Sequence, residues 1–333
     1  MFMESAKSNV MSRIVYLDSL RGFAILLVII GHLIQFNYKS GIENHIFNLI
    51  YSFHMPLFFF ISGLCTNFVK ETSTLRELFN YGYKKFYQLI IPSIVWTIVV
   101  PLFFSCKYTV SNISINTISG YWFLNTLFVV CMLWGIFSYL KNLTGRFMLL
   151  NIIGLILFLC LFVMGVKRIS LMYFAMFVFG YYFYKYDLSI KNKYALSFIT
   201  LCFCLLSGHF VYGSTTTGDE SRVWLEFPLS IMASIIFVGL FRYIGKEKMT
   251  KFLSYIGKYT LGIYVCHFLF VQFGGAYIGE LNVGMLPQFF ILLIISVVIA
   301  LCCICVQKVT EPFLLLHGLM YGKWGIKSKI AEK

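Results

Sequence analysis

Long stretches of this chain lack the polar face that a helix or strand at a water-facing surface would need. Apolar residues fill every side of ten segments, at about 14–36, 46–68, 86–104, 121–140, 147–165, 169–184, 194–212, 223–241, 252–273 and 287–307. Most approach the ~20 residues that a helix needs to cross a bilayer. A helix that is hydrophobic all round belongs in a large core or a membrane. A membrane β-barrel would instead alternate apolar and polar residues over short strands. The pattern predicts an all-α, polytopic membrane protein of about ten transmembrane helices. The membrane domain is expected over residues 13–317, between tails at 1–12 and 318–333. The longest polar connections, 69–85, 105–120 and 213–222, are too short to hold a catalytic domain. Any chemistry is therefore expected within the helix bundle or at its mouths.

Composition supports this reading, with 59% apolar residues, 12% charged residues and a mean hydropathy of +0.83. The formal net charge of +14 could suggest nucleic acid, but the placement of the charges excludes it. With the N-terminus inside, all of the 27 Lys and Arg except Lys39, Lys107, Lys167, Arg168 and Arg222 fall on the inner side. That asymmetry is the positive-inside bias and predicts both termini in the cytoplasm. The basic excess is then topology and contact with anionic lipid. The first apolar segment is too long for a cleaved signal peptide and lacks a small-residue cleavage site. The ten cysteines lie mostly in apolar stretches, such as Cys302, Cys303 and Cys305, where cysteine acts as a small hydrophobe. Neither a disulfide framework nor a metal site is expected.

Ionisable groups inside a span cost ~2.5–3.5 kcal/mol on insertion scales, so each needs a reason. The segment "YLDSLRGFAILLVIIGH" holds Asp18, Arg21 and His32. Eleven residues turn a helix by about 1100°, so Arg21 and His32 share a face about 16 Å apart along the axis. Asp18 lies one turn before Arg21, where a carboxylate can hold the guanidinium in one pose. The second segment contains "YSFHMPLFFFISGL", which puts His54 about 10 Å below its outer end. Pro56 follows, and Ser62 and Gly63 lie near the inner end, where small residues permit close helix approach. In "GKYTLGIYVCHFLF", Thr260, Tyr264 and His267 are spaced i, i+4, i+7 and line one face. His32, His54 and His267 fall at similar depth, which predicts a shared polar cavity. His209 reads as a loop-edge histidine. Trp122 opens "YWFLNTLF" at an aromatic-belt position, and Glu311 precedes Pro312 at the inner end of the last span.

"LDSLRGFAILLVIIGH", "FHMPLFFFISG", "YWFL", "GKYTLGIYVCH" and "EPF", in that order, closely resemble the acyltransferase-3 family over nearly the whole chain. Without a soluble hydrolase-like domain, the chain looks most like the fucose 4-O-acetylase-like branch. Members of the family move acyl groups, commonly acetyl, from acyl-CoA to envelope carbohydrates. The family's Arg-x10-His motif falls on Arg21 and His32, and its aspartate on Asp18. Its later motifs fall on His54, Ser62, Gly63, Tyr264, His267 and Glu311. The family often has an arginine-containing basic run after the second helix, where this chain has "YKKFYQLIIP" with Lys84, Lys85 and Gln88. Lysine binds phosphate only as a point charge, without arginine's bidentate fork.

The resemblance implies acetyl-CoA as donor, a carbohydrate acceptor, an inner-membrane location and no metal. Arg21 would meet the donor at the inner mouth, with Asp18 holding it. His32 would act as general base on the acceptor hydroxyl or carry the acyl group itself. A histidine suits either role because its ordinary pKa of ~6.5 leaves it largely neutral at pH 7. His54, Tyr264 and His267 would stabilise the oxyanion or place the acceptor, and Ser62, Trp122, Lys85 and Glu311 complete the binding candidates. The competing reading is a transporter or flippase of a lipid-linked sugar, with histidines relaying protons.

Overall fold

The computed structural model describes residues 2–38, 43–104, 121–145, 154, 168–190, 192–212, 223–244, 248–271 and 283–323. Those residues are helical, with short connections and no strand. The expected span at 147–165, apart from residue 154, and the outer connections 105–120 and 213–222 lie outside the described residues. The helices are α1 (Phe2–Asn37), α2 (His45–Tyr51), α3 (His54–Thr66), α4 (Leu75–Lys85) and α5 (Ile91–Phe104). There follow α6 (Trp122–Thr144), α7 (Arg168–Lys185), α8 (Lys193–Ser207), α9 (Val223–Ile244) and α10 (Lys248–Lys258). The last four are α11 (Thr260–Cys266), α12 (Phe268–Val271), α13 (Met285–Thr310) and α14 (Leu314–Tyr321). Among the described residues, five stretches are long and apolar enough to cross a membrane: Val15–Asn37, His45–Thr66, Trp122–Thr144, Val223–Ile244 and Met285–Thr310.

The chain divides into two compact units. The first comprises Met1–Lys70, Met148–Thr260 and Val271–Ala300. At its centre is the apolar part of α1, with Leu20, Ala24, Ile25, Ile29, Ile30 and Ile34 fully enclosed. Two helix crossings without intervening side chains organise this unit. Gly22 of α1 lies against the Leu253 carbonyl of α10, and Gly257 of α10 lies against the Asp18 carbonyl of α1. In the same manner, Gly63 of α3 meets the Phe177 carbonyl of α7, and Gly180 of α7 meets the Phe60 carbonyl of α3. Small residues at such positions let backbones touch, the main route to tight association between apolar helices in lipid.

Two expected spans are interrupted. The 46–68 segment breaks at Ser52 and Phe53, between α2 and α3, and not at Pro56. Asn44 caps α2 by accepting from the Ile46 and Phe47 amides at 2.9 and 3.3 Å. Pro56 falls in the first turn of α3, where its missing N–H would have had no helical partner. The 252–273 segment is divided among α10, α11 and α12. Its start belongs to an amphipathic helix whose Thr250, Leu253, Ser254 and Ile256 are buried while Lys251, Phe252 and Lys258 are exposed.

The second unit comprises Glu71–Phe147, Leu261–Phe270 and Leu301–Lys333. Here α4 forms within a connection that carried no apolar run. Thr74 and Glu77 make a capping box, with the Thr74 hydroxyl accepting from the Glu77 amide at 3.2 Å. Leu78 and Tyr81 of α4 pack against Gly135 of α6, and the Thr72 hydroxyl donates to the Gly135 carbonyl at 2.8 Å. A π-helical turn, Phe86–Ile90, leads into α5. At the far end of α14, Gly322 adopts φ 65° with the Gln88 backbone against it, a place only glycine fills without strain.

Candidate active site

In the first unit, the start of the apolar part of α1 is anchored on three sides. Asp18 is buried, and its Oδ1 accepts from Arg21 Nη1 at 3.0 Å. Arg21 Nη2 also reaches Cys65 Sγ on α3 at 2.9 Å. The Ser19 hydroxyl donates to the Thr250 carbonyl of α10 at 2.7 Å. The guanidinium is thus held at the junction of α1 and α3, with 35% of its side chain still accessible. In the same unit, Arg242 donates to Asp187 at 2.9 Å and covers the Tyr16 ring at 5.3 Å. The Ser62 hydroxyl donates to the Phe58 carbonyl of its own helix at 2.8 Å.

Three turns along α1, the structure brings His32 and His54 into one cluster. His32 Nδ1 lies 3.1 Å from Gln35 Oε1, and the Tyr51 hydroxyl donates to the same oxygen at 3.2 Å. The Tyr51 ring lies 4.4 Å from that of His54, whose Nδ1 is 2.9 Å from the Ile50 carbonyl. Tyr212 closes the cluster, its ring 4.7 Å from Tyr51 and its amide donating to Asn48 Oδ1 at 2.8 Å. His209 stands exposed at the end of α8, as a loop-edge residue should.

His267 and Tyr264 belong to the second unit. The His267 Nδ1 is 2.7 Å from the Tyr264 carbonyl, and its ring lies 4.4 Å from Phe268. Tyr264 packs against Phe123 at 5.4 Å, and the Tyr121 hydroxyl donates to the Val265 carbonyl at 2.8 Å. The "YWFL" stretch therefore meets α11 through Tyr121 and Phe123, whereas Trp122 is 37% exposed. Lys85 Nζ sits 5.6 Å above the Tyr81 ring, and Glu311 is exposed at the turn after α13.

Several polar residues escaped the sequence reading. Gln35 stands one turn from His32 in α1, and Tyr51 lies three residues before His54, across the break between α2 and α3. Glu226 is a carboxylate within an apolar stretch, buried in α9 one turn before Ser230, whose hydroxyl reaches the Ser52 carbonyl at the α2–α3 break. Gln307 is fully enclosed in the second unit against Gly262. Among the described residues, no group of three or more His, Cys, Asp or Glu side chains could hold a metal ion.

Two curated relatives share sequence with part of this chain. Nodulation protein NolL of Mesorhizobium japonicum is 34% identical over 125 residues, covering 34% of this chain and 32% of the relative. Nodulation protein NolL of Sinorhizobium fredii is 31% identical over 133 residues, covering 36% and 35%. The matched region thus spans about a third of each relative's length. No solved structure matches. The family model described as an acyltransferase domain matches residues 14–305, from the first apolar helix to near the end of α13. The chain therefore belongs to the acyltransferase-3 family.

Proposed function

We propose that this chain is a multi-pass O-acetyltransferase of the inner membrane, with both termini in the cytoplasm. It takes acetyl from cytoplasmic acetyl-CoA and places it on a hydroxyl of a cell-envelope or surface carbohydrate. The observation that carries this reading is the layout of α1. One continuous helix holds a guanidinium, fixed by Asp18 and Cys65, about 16 Å along the axis from a histidine beside Gln35 and Tyr51. That separation suits a donor whose phosphates stay at the mouth while its slim pantetheine arm carries the thioester inward.

In the proposed reaction Arg21 binds the donor and Asp18 holds Arg21. His32 accepts the proton of the acceptor hydroxyl as its oxygen attacks the thioester carbonyl. The C–S bond then breaks, and the coenzyme A thiolate recovers the proton from His32. His54 has a main-chain carbonyl at Nδ1, which only accepts, so its proton sits there and Nε2 offers a lone pair. It would orient an acceptor hydroxyl and not an oxyanion. Ser62, Tyr264, His267, Trp122, Lys85 and Glu311 remain binding candidates.

The test is thermal stabilisation of the purified protein by coenzyme A and acetyl-CoA. Ligand at a hundred times its Kd should add about 2.7 kcal/mol. The shift should vanish in Arg21→Ala and persist in His32→Ala. No shift in folded wild-type protein would favour the transporter reading.

A further inference from the structure

The three candidate histidines each place Nδ1 against an oxygen, but not the same kind of oxygen. For His54 and His267 it is a main-chain carbonyl, of Ile50 and Tyr264, at 2.9 and 2.7 Å. For His32 it is the side-chain oxygen of Gln35, one turn further along α1, at 3.1 Å. That oxygen also accepts from the Tyr51 hydroxyl at 3.2 Å. The His32 ring nitrogen and the Tyr51 hydroxyl thus converge on one carboxamide oxygen, which has two lone pairs with which to accept.

Tyr51 is itself well seated. Its ring stacks on Phe47 at 3.8 Å and meets Tyr212 edge-on at 4.7 Å. It fits beside α1 because residue 31 is glycine: a Cβ there would come within 2.6 Å of the Tyr51 ring. The sequence "GHLIQ" therefore carries a small residue that admits Tyr51, the histidine, and the glutamine that joins them.

We propose that Gln35, seated by Tyr51, is the positioning residue of His32. It fixes the proton on Nδ1 and leaves the Nε2 lone pair as the basic site. This rests on the reading of His32 as general base. Without an acceptor at Nδ1, a neutral imidazole can carry its proton on either nitrogen, and with the proton on Nε2 no base faces the acceptor hydroxyl. Orientation of a catalytic histidine by a third group is the logic of acyl-transfer triads. A carboxamide does it here without placing another charge at membrane depth.

The experiment uses the full chain in lipid nanodiscs, with Gln35→Glu, Gln35→Leu, Gln35→Lys and Tyr51→Phe. Two quantities are read: the kcat and KM of acetyl-CoA-dependent transfer, and the 15N resonances of His32, assigned by their loss in His32→Ala. Wild type and Gln35→Glu, which both present an acceptor, should show the proton on Nδ1 and comparable kcat. Gln35→Leu should move the proton toward Nε2 and lower kcat by on the order of 10²-fold or more, with little change in the KM for acetyl-CoA. Gln35→Lys places a donor against Nδ1 and should give the largest change in both. Tyr51→Phe should fall between wild type and Gln35→Leu.

A Gln35→Leu protein with the wild-type resonances overturns the proposal, whatever its rate. A displaced proton with undiminished kcat overturns it as well. An active His32→Ala would defeat the base reading itself, and the resonances distinguish that failure because they are read without turnover.

Discussion

The crossing of α1 and α10 makes a prediction that a single methyl group can test. Gly257 has the Asp18 carbonyl where a Cβ would be, and Gly22 faces the Leu253 carbonyl across the same contact. The obstructing atoms are backbone on both sides, so no rotamer change can relieve Gly257→Ala, and the helices must part by roughly 1 Å. A gap of that size forfeits about a quarter to a half of the attraction of each contact around it. Alanine would gain about 1 kcal/mol of helix propensity. Overpacking of this kind costs ~1–3 kcal/mol, and the rigid backbone places this case at the upper end. The net expected loss is on the order of 1–2 kcal/mol, a fall of several degrees in Tm.

Activity should suffer more than stability. The displaced atom is the carbonyl of Asp18, whose side chain holds Arg21 at 3.0 Å. A misplacement near 1 Å can cost about 10²-fold in rate. The assay is acetyl transfer from acetyl-CoA by protein in nanodiscs, beside a thermal melt. Gly208→Ala is the control, because its Cβ would meet only the Leu205 carbonyl, at an ordinary 3.8 Å. Gly257→Ala with the Tm and activity of Gly208→Ala would refute the reasoning.

Gly180→Ala should behave likewise at the α3–α7 crossing, lowering the Tm by a similar amount, because the Phe60 carbonyl occupies the space of its Cβ. Tyr121→Phe removes the bond to the buried Val265 carbonyl and should cost about 1–3 kcal/mol in a denaturation series, with Trp122→Phe costing less than ~0.5. His317, on α14 outside the five long apolar stretches, is held below the ordinary histidine range by burial, with Lys323 adding to it and Glu311 opposing. Its folded form therefore resists protonation, and the stability it contributes is full above about pH 6.5 and lost as pH falls through the folded value. Melting curves across that range should show the decline in wild type and a shallower one in His317→Gln.

The apolar pattern marked α1, α6, α9 and α13 as spans because a helix greasy on every side has few other places to go. It located Arg21 and His32 on one face because helical geometry is regular over eleven residues. It did not show where helices stop. The break at Ser52 and Phe53 falls on two residues that carry no strong stop signal, and Pro56, the obvious breaker, sits harmlessly in a first turn. It also merged α10 into a span, since the apolar residues of its second half are followed closely in sequence by the apolar run of α11. The glycine crossings were half legible. Gly63 was marked as a site of close approach, but Gly22, Gly180 and Gly257 acquire meaning only when a partner backbone arrives from a hundred or more residues away. Gln35 and Tyr51 went unread because neither is charged, and a polar residue near a helix end needs no special reason until its partner is seen.

The most direct test of the account is incorporation of label from acetyl-CoA into envelope carbohydrate by membranes that contain the full chain. Wild-type membranes should transfer the labelled acetyl group and release coenzyme A in equal amount. His32→Ala membranes, at equal protein abundance, should do neither. Equal transfer by both would contradict the assignment of His32 as base. Movement of a lipid-linked sugar across the membrane without release of coenzyme A would contradict the account as a whole.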